Sequence, residues 1–434
     1  MSEREQRSSR GRAWRWLWTP RARPKGLWAG LLGLSVVLGL VLTGPRTPMQ
    51  SSEPAATVSA RAAVRVRPVS AGVRQQVLDR ALDLWSERTD GDTLDVVLDA
   101  AGLAWLRAQA IDFEVLVPDV DAVARVEHER LAAAQVARPT PEQWFTEYRD
   151  LETIHGYLDT LAATRPDLVS LETIGSSLQG RPLRALRIHG PGRPRARMLV
   201  NGGLHAREWI SMMVTTCVAD RLVRGYDDDP RLRRFVDEVE LTVVPVANPD
   251  GYVHSWGRDR YWRKNRRGDH GVDLNRNFGV AWGGNGSSAN RRSQVYRGEG
   301  PFSEPEAAAL RDFVQAEGIS AHIDFHSYGQ LLLHPWSYTR TRSKDHARLS
   351  TFANGMAKAI KAEHGQRYRL MPGESLYPAA GTLMDWVYGD QRAMSFVIEL
   401  RPRGGSGFVL PPDQIVPTCD EGLAAVLSLG ESLR

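Results

Sequence analysis

From about residue 148 onward, short apolar runs alternate with longer runs at helical spacing, and several short runs end on His, Glu or Asn. An apolar run of four to eight residues bounded by turn signals reads as a buried strand, and a longer periodic one as a helix. Strands are expected at 168–174, 183–188, 198–201, 239–246, 319–326, 331–334 and 395–400, and helices at 148–163, 210–223, 304–315, 345–364, 383–388 and 412–429. The order mixes crossovers with hairpin-like neighbours. It predicts an α/β fold: a mixed, largely parallel twisted sheet with helices on both faces. A chain of 434 residues, 42% hydrophobic and 25% charged, has room for two or three domains and excludes wholesale disorder.

The first 142 residues are organised differently. Residues 1–26 carry eight Arg or Lys against two Glu, while the whole chain is only +5, so the remainder carries no net positive charge. That excludes a body built to grip a phosphate backbone, and no nucleic-acid partner is expected. The run 27–42, LWAGLLGLSVVLGLVL, is uncharged. A basic flank followed by such a run reads as an export signal or a membrane anchor, with cleavage left open. The resulting division is a tail with signal or anchor over 1–45, a Pro/Ser/Thr-rich linker over 46–60, a small α+β module over 61–131, a connecting segment over 132–142 and a large domain over 143–434. Within the module, strands are expected at 63–68, 93–98 and 111–117 and helices at 73–87, 101–109 and 119–134. It holds nine Arg and thirteen Asp or Glu. Arg138, beside Pro139 and Pro141, is an exposed-looking protease site. The cysteines, Cys217 and Cys419, are too few for a disulfide framework, and Cys217 is expected to pack as a small hydrophobe.

Chemistry gathers at strand ends. In NGGLHAREWI, His205 and Glu208 stand three apart just after the strand MLVN. Taken alone, His-x-x-Glu is weak, since about one arises by chance in a chain this long. His326 ends SAHIDFH and Glu399 closes SFVIE. Open α/β sheets bind ligands beyond the carboxyl ends of their strands, so these groups fall where a site would form. Two His and one carboxylate suit a catalytic Zn²⁺ with an open position, leaving a second carboxylate as base. Arg207, Arg263 and Arg276 sit in turns near the same strands, and an arginine is the planar donor that grips a carboxylate.

From about Trp144 to the C-terminus the chain resembles the pancreatic-type zinc metallocarboxypeptidases of the carboxypeptidase A/B family. The resemblance rests on HAREW, NPDGY, YWRKNRR, GVDLNRNF, DFHSYGQLLLHPW, SLYPAAGTLMDW and FVIELRPRGGSGFVLPPDQI, in order and spacing. Residues 61–131 resemble that family's activation segment, a βαββαβ open sandwich followed by a connecting helix. The resemblance implies one Zn²⁺ per chain held by His205, Glu208 and His326. It implies Glu399 as general base and Arg263 as oxyanion stabiliser. Asn275, Arg276 and Tyr377 would hold the substrate's terminal carboxylate, and Arg207 would bind substrate near the penultimate subsite. Asp273 would accept a hydrogen bond from a zinc-ligating histidine. The substrates would be peptide or protein C-termini, the chain a monomer, and the activator a trypsin-like protease acting at Arg130 or Arg138.

Two departures stand out. The loop between YWRKNRR and QVYRG lacks the disulfide often found there, which places its stability in question. At the base of the specificity pocket Met384, beside Leu383 and Val397, occupies the place where cutters of basic ends carry an acid. Asp324 also matches a pocket-lining position. Apolar or aromatic C-terminal residues are expected, with mixed or basic preference as the remainder. The competing readings are a related zinc hydrolase of cell-wall peptides or acylated amino acids, an inactive binding module on the same fold, and a membrane-surface binder driven by the tail.

Overall fold

Two sheets organise the chain. The computed structural model describes residues 61–68, 70–86, 93–135, 140–404 and 407–433. The basic tail, the apolar run 27–42, the linker and Arg138 lie outside the described residues. Among the described residues no helix is long and apolar enough to cross a membrane. Strands β1 (Arg61–Val66), β2 (Asp83–Leu84), β3 (Leu94–Asp99) and β4 (Phe113–Val117) form an antiparallel sheet in the order β2-β3-β1-β4. The helix expected over 73–87 ends instead at Arg80, and Asp83 and Leu84 turn back to pair with Val97 and Val96. Tertiary partners override the helical spacing there, as the site makes clear.

The second sheet contains β5 (Val169–Ser176), β6 (Pro182–Ile188), β7 (Ala196–Gly202), β8 (Val239–Val244), β9 (Ala321–Ser327), β10 (Leu331–His334), β11 (Arg369–Pro372) and β12 (Met394–Leu400). Their order is β11-β10-β12-β9-β7-β8-β6-β5. The pairs β10/β11, β12/β9, β9/β7 and β7/β8 are parallel and the other three antiparallel, so the mixed, largely parallel sheet is as expected. Helices cover both faces. One face presents Met198, Val200, Leu241, Val243, Ile323, Phe325, Phe396 and Ile398 to the core that includes helices Leu151–Thr164, Trp209–Gly225, His346–His364 and Ile415–Ser432. The opposite face packs Ala185, Leu199 and Val244 with helices Pro305–Glu317 and Leu383–Gly389. Successive side chains of a strand alternate between faces. The same alternation gives this second face a polar centre: Asn201, His322, Asp324, His326, Ser395 and Glu399, all buried.

Three further elements escaped the sequence pattern. Helices Pro230–Glu238 and Pro249–Gly257 each begin with a capping residue followed by proline: the Asp229 carboxylate accepts from Arg231 N, and Asn248 Oδ1 from Gly251 N. Proline at the first helical position is a start signal independent of periodicity. Edge strand β11, Arg369–Pro372, reads RLMP and lacks the continuous apolar run that marked LLLH. Cys217 and Cys419 are joined in a disulfide with 6.0 Å between Cα atoms, which corrects the expectation that Cys217 simply packs. The bond staples helix Trp209–Gly225 to helix Ile415–Ser432, and a separation of 202 residues concealed the pairing.

Candidate active site

Register places the first pair of groups. In the parallel pairing of β12 with β9, Glu399 stands beside His326, and both lie at the carboxyl ends of their strands. Beyond β7 the chain must turn sharply to reach helix Trp209–Gly225. Gly202 permits the approach, because a Cβ there would lie 2.6 Å from Thr215 Oγ1 and 2.8 Å from Ser211 O. Gly203, at φ +70°, makes the turn in a region that favours glycine. The turn delivers His205 and Glu208 just ahead of the helix.

These residues converge. His205 Nδ1 lies 2.8 Å from Glu208 Oε1, His326 Nδ1 lies 3.0 Å from Glu208 Oε2, and the two Nδ1 atoms are 3.1 Å apart. All three side chains are at most 2% exposed. Tetrahedral ligands about 2.0–2.1 Å from one ion stand roughly 3.3 Å from each other, so this donor set fits Zn²⁺. Among the described residues it is the one His/Cys/Asp/Glu group that could hold a metal ion. The outward ring nitrogens are also held, His205 Nε2 at 3.1 Å from Asp273 Oδ1 and His326 Nε2 at 2.8 Å from Asp324 Oδ2. A carboxylate behind each imidazole fixes its tautomer and orientation. Burial alone would raise the Glu208 carboxyl, but His205 and His326 hold it well below the usual range. Burial would lower His326, but Asp324 and Glu208 outweigh it and raise it.

Asp273 joins this cluster to the arginines. It caps the short turn Leu274–Arg276, accepting from Asn275 N at 3.0 Å, and takes Arg263 Nη2 at 3.0 Å. Burial works against its charge, but Arg263, Arg276 and His205 hold it well below the ordinary range. Asn275 Oδ1 accepts from Leu383 N at 3.0 Å, and its Nδ2 lies 3.4 Å from His326 Nε2. Arg276 is aimed by Nε to Gly286 O at 2.8 Å and Nη1 to Asn275 O at 2.7 Å, with Nη2 at 3.5 Å from Tyr377 Oη. Arg207, Arg263, Arg276 and Tyr377 line one cavity of about 260 Å³. Every expected site residue is thus near the carboxyl ends of β7, β9 and β12 or in the loops around them.

The loop lacking the disulfide is held by polar groups instead. Asn265 Oδ1 accepts from Arg267 N and Val272 N, Arg267 pairs with Glu304, and Lys264 Nζ donates to Ser293 O. The specificity region also departs from expectation. Met384 and Val397 form an apolar cluster with Leu331 and Leu333, and both border a small cavity with Arg276 and Tyr377. Asp324 does not line it; it is fully buried and serves His326. Neighbouring Asp385 spends its carboxylate on Ser337 N and Tyr338 N. Burial pushes its carboxyl up to about 7 although those N–H groups pull it down.

Residues 154–425 match the sequence profile of the family described as zinc carboxypeptidase. The chain belongs to the zinc carboxypeptidase family. It is 34% identical to carboxypeptidase A4 of Mus musculus over 366 residues, 81% of this chain and 87% of that protein. To carboxypeptidase B of Bos taurus it is 37% identical over 290 residues, 65% of this chain and 70% of that protein. The crystal structure of thrombin activatable fibrinolysis inhibitor superposes with a TM-score of 0.80 at 32% identity, covering 86% of this chain and 98% of that one. As a zinc carboxypeptidase the chain is a metal-dependent exopeptidase acting on peptide C-termini, with Zn²⁺ as cofactor. Sequence reasoning had not given His322, Asn201 or Ser395 any role. For His322 the signal was the spacing in SAHIDFH, where 322, 324 and 326 share one face of a strand.

Proposed function

We propose that this zinc carboxypeptidase is exported as a latent precursor and, once released, removes apolar or aromatic C-terminal residues. Latency is supported by one observation: residues of the 61–131 module line the cleft and pair with its arginines. Leu84, Trp85 and Ser86 line the same 260 Å³ cavity as Arg207, Arg263 and Arg276. Asp83 Oδ2 takes Arg207 Nη1 at 2.7 Å and Leu84 O takes Arg207 Nη2 at 3.1 Å, so the module offers Arg207 the oxygens a substrate would supply. Trp85 stacks on Tyr261 at 5.1 Å and meets Phe408 edge-on, and Glu127 pairs with Arg260. The module's acidic balance thus falls on specific arginines. Arg130, on helix Val120–Gln135, is bound to Glu147, so Arg138 is taken as the release point. The disulfide supports export to an oxidising compartment, with residues 27–42 as signal or anchor.

Zinc, when bound by His205, Glu208 and His326, supplies a Lewis acid that polarises the scissile carbonyl and acidifies water. Glu399 takes the proton of the attacking water and returns it to the leaving amine. Arg263, braced by Asp273, donates to the oxygen on which charge develops. Arg276, with Asn275 and Tyr377, grips the terminal carboxylate, so an internal peptide bond is not presented to the base. Met384, Val397 and Leu333 then surround the terminal side chain without a free charge. The test is a panel of peptides differing only in the last residue, incubated with the full chain before and after limited trypsin. Activity should appear on cutting and favour Phe or Leu ends; activity unchanged by cutting refutes latency, and a preference for Lys ends refutes the apolar pocket.

A further inference from the structure

A file of polar side chains runs through the otherwise apolar sheet and ends on the metal site. Ser395 Oγ lies 2.8 Å from His322 Nδ1, His322 Nε2 lies 2.7 Å from Asn201 Oδ1, and Asn201 Nδ2 lies 2.7 Å from Asp324 Oδ1. Asp324 Oδ2 then meets His326 Nε2 at 2.8 Å. The register of β12, β9 and β7 aligns them, pairing Ser395 with His322 and Asn201 with Asp324. Ser395, His322, Asn201 and Asp324 are fully buried.

An apolar file would satisfy the fold at less cost, since buried polar groups stabilise only when fully partnered. A carboxylate only accepts, so Asn201 must turn its NH₂ to Asp324 and its oxygen to His322. His322 therefore carries its proton on Nε2 and accepts from Ser395 at Nδ1. Burial pulls His322 down to about 4, consistent with this neutral form. At the other end, Asp324 can only receive Nε2–H from His326, which makes Nδ1, the nitrogen facing Glu208 and His205, the one His326 would offer a metal ion.

We propose that Asp324 is a second positioning carboxylate of the zinc site, acting on His326 as Asp273 acts on His205, and that Asn201, His322 and Ser395 hold it in place. The inference rests on His326 being a zinc ligand. The experiment measures zinc affinity of the full chain by chelator competition, with thermal melts and the cobalt(II) absorption spectrum, for the parent, Asp324→Asn, His322→Phe, His322→Gln and His326→Ala. Asp324→Asn should weaken zinc binding about 10–100-fold with an altered cobalt spectrum, in metal-free protein that still melts cooperatively. His322→Phe should weaken it by roughly threefold or more, and His322→Gln, which can still donate to Asn201, should recover part of that loss. Affinity within twofold of the parent for Asp324→Asn, or for His322→Phe, in folded protein overturns the proposal. His326→Ala is the separate control: if it binds zinc like the parent, the ligand assignment itself has failed.

Discussion

If the proposed latency holds, replacing Asp83 by alanine leaves the cleft of the released enzyme intact and removes one contact between the module and Arg207 in the precursor. Arg207 is 2% exposed and its Nη1 sits 2.7 Å from Asp83 Oδ2. With the module docked on an Asp83→Ala chain, the guanidinium would be buried without its carboxylate, whereas undocking returns it to water. Leaving one partner of a buried pair uncompensated costs about 3–5 kcal/mol, which shifts docking by about 10²–10³-fold or more. Trp85 on Tyr261 and Glu127 on Arg260 remain and oppose release, so the uncut variant should gain roughly tenfold or more in kcat/KM on a short peptide, up to the ceiling of the cut form. The control is Asp79→Ala, which removes the same charge from an exposed position on helix Ala71–Arg80. Both variants should match the parent after trypsin. An uncut Asp83→Ala chain as quiet as the uncut parent, or an Asp79→Ala chain equally released, would refute the reasoning.

Glu399→Gln should keep zinc stoichiometry while losing at least about 10²-fold in kcat, checked by metal analysis and steady-state kinetics together. Met384→Asp should move preference towards C-terminal Lys or Arg by roughly tenfold or more in relative kcat/KM, read from the same peptide panel, because its carboxylate would face a pocket with no competing cation except Arg276. His322 stays neutral in the native protein down to about pH 4, whereas an unfolded histidine takes a proton near 6.5. Its contribution is complete above pH 6.5 and is lost as pH falls to about 4, so the parent should lose up to about 3 kcal/mol relative to His322→Gln across that window, measured by denaturant titration of both.

The candidate site was legible in the sequence because many of its members sit at a chain position with a physical meaning: the end of a buried strand, or the turn after one. Glu399 beside His326 is a consequence of parallel register, and the two glycines before His205 announce a close turn. Asp324 was misread because matching positions along a chain says nothing about which face a side chain occupies, and alternation within SAHIDFH turns it behind His326. Asp83 and Leu84 were hidden inside a helical spacing, since the partners that hold them extended lie elsewhere in the chain: Val96 and Val97, and Arg207, 123 or 124 residues away. The same distance argument covers Cys217 and Cys419. Helices Pro230–Glu238 and Pro249–Gly257 were missed by attending to periodicity when their caps were the clearer signal.

The most direct measurement compares two peptides identical except at the C-terminus, one a free acid and one an amide, incubated with the trypsin-released enzyme. On the proposed roles, Arg276, with Asn275 and Tyr377, makes recognition depend on a terminal carboxylate, and the His205–Glu208–His326 set makes turnover depend on metal. The account predicts release of the last residue from the acid, little from the amide, loss of activity with a chelator and recovery with Zn²⁺. Equal cleavage of acid and amide, or activity indifferent to the chelator, would contradict it.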